Sequence, residues 1–206
     1  YRSGISHPPL TNHVVEKADK IEITTSGVGL AKKIIQNNGA MAGDFIIVSG
    51  DLGEHTVAVL SKRFNYQTNI KSDSKPLNKE LELVGKHLNA CKDPTRGGLS
   101  ANIVEIAKKS KVKIILDEKL LPYKKETIAL SELLGIDFFS FASEGRFISS
   151  VSLKNVNKVL KILKEFNQEA KIIGRTEKGE GVFLKTKLGS FRQIEMPRGK
   201  LIPRIC

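Results

Sequence analysis

The chain has 206 residues, 40% of them hydrophobic, and its 34 Lys and Arg against 22 Asp and Glu give a net charge of +12. That is enough apolar material for a packed core, which excludes intrinsic disorder, and no apolar run reaches the length of a membrane span. Two cysteines, Cys91 and Cys206, without zinc-ligand spacing exclude a disulfide-built or zinc-built fold.

Residues 1–13 are rich in Pro, Ser and His, show no periodicity, and read as a tail or stub. They carry no apolar stretch of the signal-peptide kind, so the expected location is the cytoplasm. Residues 20–26 alternate apolar and polar side chains as a half-buried strand does, and 44–49 form a compact apolar strand. The turn 50–53 breaks that strand, and 54–63 place Val57, Ala58, Leu60 and Ser61 at helical spacing. A polar stretch, 65–75, leads to Pro76, after which Leu77, Leu81, Val84 and Leu88 mark a second amphipathic helix.

A glycine-rich turn at 93–98 opens a helix over 99–109, followed by a strand at 112–117. Further on come a helix at 126–134 ended by Gly135, a strand at 146–151, and a helix through Val156, Val159, Leu160, Leu163 and Phe166. Short strands at 170–174, 181–185 and 191–194 complete the pattern. The order predicts an α+β domain, a mixed sheet with helices layered on it.

The basic balance by itself suits a nucleic acid, but the lysines are interspersed with acids and the longest basic cluster is a pair. With only 6% aromatic residues and no Trp, a stacking surface for single strands has little material. No nucleic-acid or membrane partner is expected.

Three segments carry chemistry. In Asp93-Pro94-Thr95-Arg96-Gly97-Gly98, Pro94 fixes the backbone and the glycines allow close approach to a ligand. The amides opening the next helix favour an anion, and Arg96 can clamp it. The alternative is structural: Asp93 or Thr95 caps the helix and Arg96 pairs with Asp93. In Ser49-Gly50-Asp51-Leu52-Gly53-Glu54-His55 a glycine turn feeds a helix, and capping is favoured over metal binding because Glu54 and His55 face different directions. In Ser143-Glu144-Gly145-Arg146 a carboxylate stands beside a glycine at a strand entrance. His87 reads as a surface residue and Cys91 as a buried or partly buried thiol. Cys206, on a tail stiffened by Pro203, is suited to be a covalent carrier; prenylation would need a cysteine four positions from the end.

These segments, together with Phe141-Ala142 and the ending Pro203-Arg204-Ile205-Cys206, resemble the HypE family of hydrogenase maturation proteins, over essentially residues 14–206 and in the same order. HypE proteins belong to the superfamily of aminoimidazole ribonucleotide synthetase and selenophosphate synthetase. The resemblance implies an ATP-dependent carbamoyl dehydratase using ATP and Mg2+. Cys206 accepts a carbamoyl group from the carbamoyltransferase HypF, dehydration leaves a thiocyanate, and the cyanide passes to iron on a HypC–HypD complex for a nickel-iron hydrogenase. It further implies Glu144 as the base, and Asp93, Thr95, Arg96, Gly97, Gly98, Gly50, Asp51 and Gly53 as lining for the nucleotide or the tail channel, with a homodimer as the assembly. The family's Gly-Asp-Thr-Lys falls on Leu10-Thr11-Asn12-His13 here, so its metal-binding Asp and its Lys are absent. The expected organisation is a tail or stub (1–13), a remnant of the N-terminal ATP-binding domain (14–40), the C-terminal domain (41–195) and a tail bearing the carrier cysteine (196–206). Such a chain is expected to be inactive alone; the alternatives are a docking module for the maturation partners or another ATP-dependent synthetase of the same superfamily.

Overall fold

The computed structural model describes residues 34–197 together with Ser26 and Val28. The strand predicted at 20–26 therefore lies outside the described residues but for Ser26, as do the stub and the terminal Cys206. The chain divides into two compact units, Tyr1–Ile34 and Ile35–Cys206, and every described helix and strand belongs to the second.

Seven strands form one mixed sheet in the order β2-β4-β1-β5-β3-β6-β7: β1 (Phe45–Val48), β2 (Ala90–Lys92), β3 (Lys113–Asp117), β4 (Ile148–Val151), β5 (Lys171–Glu177), β6 (Gly181–Lys185) and β7 (Phe191–Ile194). Every neighbouring pair is antiparallel except β3 with β6. The helices are α1 (Glu54–Phe64), α2 (Asn78–Val84), α3 (Gly98–Ser110), α4 (Lys125–Leu134) and α5 (Leu153–Phe166).

The central strand β1 reads Phe-Ile-Ile-Val without alternation because both faces of the sheet are covered. Successive side chains point to opposite faces, so Ile46 and Val48 enter one core while Phe45 and Ile47 enter the other. On the first face α3 contributes Leu99, Ile103, Ile106 and Ala107, a stripe at helical spacing, against Ile114, Leu116, Ile173 and Val182. On the second, α5 lays Val156, Val159 and Leu163 beside Val84, Leu88 and Phe147, keeping its lysines outward. A smaller cluster joins α1 to α4 through Val57, Leu60, Leu130, Ile70 and Phe141.

The helix expected from Leu77 to Leu88 ends at Val84. A 3-10 turn, Gly85–His87, follows, and Leu88 is already extended. Cys91 lies on β2, a three-residue edge strand too short to leave a periodic signal, and β5 runs on to Glu177. Among the described residues, no helix is long and apolar enough to cross a membrane.

Candidate functional site

The three segments singled out by chemistry meet where β1 ends and β4 begins. At the end of β1, Ser49 N–H donates to the Phe147 carbonyl (3.1 Å), and Phe147 N–H donates to Ser49 Oγ (3.0 Å). The turn after it is bound to the loop before β4 by Gly53 N–H to Ser143 Oγ (2.8 Å), Thr56 N–H to the Ala142 carbonyl (3.3 Å) and Ala142 N–H to Thr56 Oγ1 (2.7 Å). The third segment joins through Ser143 N–H and the Pro94 carbonyl (3.0 Å). At Gly98 the contact is closer still: a Cβ there would stand 2.5 Å from the carbonyl oxygens of both Phe139 and Phe141.

The capping alternatives do not occur. Helices α1 and α3 are each preceded by a glycine in the left-handed region, Gly53 at φ 81° and Gly97 at φ 80°, with no side-chain cap on either. The capping favoured for the 50–53 turn, and the alternative in which Asp93 or Thr95 caps α3, are therefore corrected: glycine is needed for the backbone angle, and glycine has no side-chain oxygen to offer. Thr95 contributes only its carbonyl, to Gly98 N–H (2.9 Å). The start of α1, with its partial positive charge, is thereby joined to the loop that carries Ser143 and Glu144, while the segment before α3 meets the same loop through the Pro94 carbonyl.

Glu54 is instead one half of a buried ion pair. Its Oε2 accepts from Arg146 Nη2 (3.0 Å), and each side chain is 9% exposed. Arg146 also donates from Nε to the Asp51 carbonyl (3.1 Å) and from Nη1 to the Gly145 carbonyl (2.9 Å), so one guanidinium ties the β1 turn to the loop before β4. Lys124, from the segment leading into α4, reaches Glu54 Oε1 (2.6 Å) and stands 4.0 Å from Asp51. Burial, reinforced by the charge of Glu54, raises the Asp51 carboxyl above its usual range.

Glu144 is half-buried, and burial raises its carboxyl, with Asp93 and Asp73 adding to the effect and His55 opposing it. Its N–H donates to Asp73 Oδ1 (3.0 Å). His55 Nδ1 is 2.8 Å from Ser72 Oγ, which fastens the same stretch to α1. Gly50 is buried with extended backbone, packed where a Cβ would be by the side chains of Asn167 and Arg146. Asp93 and Arg96 are exposed, and no ion pair joins them among the described residues, so the structural alternative of a pair between them does not occur. His87 is half-buried rather than on the surface. Burial, with Asp93 adding to it, pushes the Cys91 thiol up to about 12.

Asp73, Lys124, and the pairing of Glu54 with Arg146 escape a reading of the sequence. Asp73 and Lys124 come from segments with no periodicity. Residues 54 and 146 are so far apart in the chain that only the sheet brings them together. Among the described residues, no group of three or more His, Cys, Asp or Glu could hold a metal ion.

The model for the C-terminal domain of AIR synthase related proteins matches residues 41–187. A putative hydrogenase expression/formation protein of Methanocaldococcus jannaschii is 40% identical, over 94% of this chain and 60% of its own length. The carbamoyl dehydratase HypE of Cupriavidus necator is 37% identical, over 92% and 57%. The chain thus spans about three-fifths of the length of the curated relatives it matches. A crystal structure of hydrogenase maturation protein HypE superposes with a TM-score of 0.81 at 29% identity, covering 86% of this chain and 60% of that one. A HypE–HypF complex gives 0.74 at 35% identity, covering 79% and 56%, and HypE in complex with ATP gives 0.79 at 29%, covering 84% and 55%.

Proposed function

Because the chain belongs to the family of AIR synthase related proteins through its C-terminal domain and is similar to HypE proteins over nine-tenths of its length, we propose that it serves nickel-iron hydrogenase maturation as the thiol-bearing half of a carbamoyl dehydratase. In this reading HypF places a carbamoyl group on Cys206, forming an S–C(=O)–NH2 thiocarbamate. ATP transfers its γ-phosphoryl to the carbamoyl oxygen, the nitrogen gives up both protons, and the C–O bond breaks. The products are ADP, phosphate and an S–C≡N thiocyanate. An amide oxygen is a poor leaving group and phosphate a good one, so the barrier left for protein side chains is removal of the N–H protons.

Glu144 is assigned that task. The observation that carries the assignment is its position: a half-buried carboxylate, held by its main chain to Asp73, at the junction of all three chemistry-bearing loops. A carboxylate with raised proton affinity is the better base at neutral pH. The uncapped starts of α1 and α3, with Arg96 exposed beside the second, suit the negative charge that develops on the phosphorylated oxygen, or they line the path of the tail. Gly50, Asp51, Gly53, Asp93, Thr95, Gly97 and Gly98 shape this surface. The cyanide then passes to iron on a HypC–HypD complex, in the cytoplasm, from a homodimer. Since Leu10-Thr11-Asn12-His13 stands where the family has Gly-Asp-Thr-Lys, this chain by itself is expected to hydrolyse ATP slowly.

The test is Glu144→Gln in this chain joined to the N-terminal ATP-binding domain of a HypE relative and given HypF, ATP and carbamoyl phosphate, with mass spectrometry of the C-terminal peptide. Carbamoyl is expected to accumulate on Cys206 without loss of water, and Cys206→Ala is expected to abolish both modifications. Normal thiocyanate formation in Glu144→Gln would remove Glu144 from the role of base. Modification of Cys91 would remove Cys206 from the role of carrier.

A further inference from the structure

The loop bearing Glu144 is held from a direction that the three motifs do not explain. Between α1 and α2 the strap of residues 65–77 is exposed for most of its length, yet Ile70 and Asp73 are buried. Ile70 needs no special reason, since it packs on Val57, Leu60 and Phe141. Asp73 does, because a carboxylate only 8% exposed is costly unless its oxygens are engaged. One oxygen is: Oδ1 accepts the Glu144 N–H at 3.0 Å. The other, Oδ2, is buried and has no hydrogen-bond partner among the described residues. The strap presses on this loop so closely that a Cβ at Gly145 would lie 1.8 Å from the Asp73 carbonyl oxygen. An asparagine or a serine would make the same bond to Glu144 N–H at lower cost, so a role for the charge itself is indicated.

We propose that Asp73 is the positioning residue of the Glu144 base, clamping its main chain while standing behind it as a second negative charge. The inference rests on Glu144 being the proton acceptor. A neighbouring like charge makes a carboxylate hold its proton more tightly and so strengthens it as a base. Three elements face Glu144 with titratable groups: α1 with His55, the loop before α3 with Asp93, and the strap with Asp73. Burial raises the Asp73 carboxyl in turn, while the Glu144 N–H, the Arg146 charge and the Ser143 side chain favour its charged form and Glu54 opposes it.

Asp73→Asn keeps an oxygen for the Glu144 N–H and deletes the charge, whereas Asp73→Ala deletes both. In the chain joined to a relative's ATP-binding domain both are expected to accept carbamoyl at the parent rate. Dehydration requires ionised Glu144, so its rate rises with pH through the Glu144 titration, and in Asp73→Asn that rise is expected at lower pH than in the parent. Asp73→Ala is expected to slow dehydration about 10-fold or more as the clamp is lost. A pH profile of Asp73→Asn superimposed on the parent's, or equal slowing of carbamoylation and dehydration, overturns the inference. If Asp73→Ala does not fold, a carboxyl NMR titration of Glu144 in Asp73→Asn decides, and a midpoint that is not lowered refutes the coupling. Glu144→Gln separates the two levels. If it stalls while the Asp73→Asn profile is unmoved, only the positioning role fails; if it dehydrates normally, the base assignment fails and takes this inference with it.

Discussion

Removing Glu54 should unfasten the site by stranding Arg146. Both side chains are 9% exposed, so Glu54→Ala leaves a guanidinium that water reaches poorly, and breaking a buried pair by deleting one partner costs about 3–5 kcal/mol. Two features pull the value to the low end. Arg146 keeps its bonds to the Asp51 and Gly145 carbonyls, and Lys124, at 43% exposed, can turn to solvent when Glu54 is lost. The expected loss is therefore about 3 kcal/mol, a large fraction of the roughly 5–15 kcal/mol that holds a domain folded. Urea unfolding of Glu54→Ala, Arg146→Ala and the double variant measures it. Because the two side chains act as a unit, the double variant should lose little more than either single one, with a coupling of about 2 kcal/mol or more. Losses under about 1 kcal/mol in each single variant, adding in the double, would refute the buried pair as the tie between the β1 turn and the loop before β4.

Gly98→Ala should destabilise the protein by about 3 kcal/mol or more, since a Cβ would meet two backbone oxygens at 2.5 Å at a residue with φ 56°, and neither oxygen can swing aside as a side chain would; thermal unfolding checks this. Cys91, partly buried and with its thiol pushed up to about 12, should resist iodoacetamide at pH 8 in the folded chain and react once urea is added; equal rates in both states would contradict the raised thiol. Partial burial would raise the Glu105 carboxyl, but bonds from Lys109 and Lys92 outweigh it and hold the group at about 2. A carboxyl lowered on folding adds stability above its ordinary value of 4.5 and loses it as pH falls towards 2, so Glu105→Gln should flatten the acid arm of stability between those limits.

By itself the sequence determined the elements. Apolar periodicity is local, and the stripe Leu99, Ile103, Ile106 or the run Phe45 to Val48 states its own geometry, so most helices and strands fall where their spacing puts them. The three chemistry-bearing segments were legible for the same reason, since glycine and proline act on their own backbone. Tertiary structure decided what a spacing rule does not contain. It fixed the strand order, in which β1 lies between β4 and β5 and thereby brings Ser49 to Phe147. It made Glu54 the partner of Arg146, and it used an aperiodic strap to hold Asp73 against the Glu144 main chain. A buried charge is tolerated only where a partner arrives from elsewhere in the chain, and that partner is chosen by the packing of the sheet rather than by its neighbours in sequence.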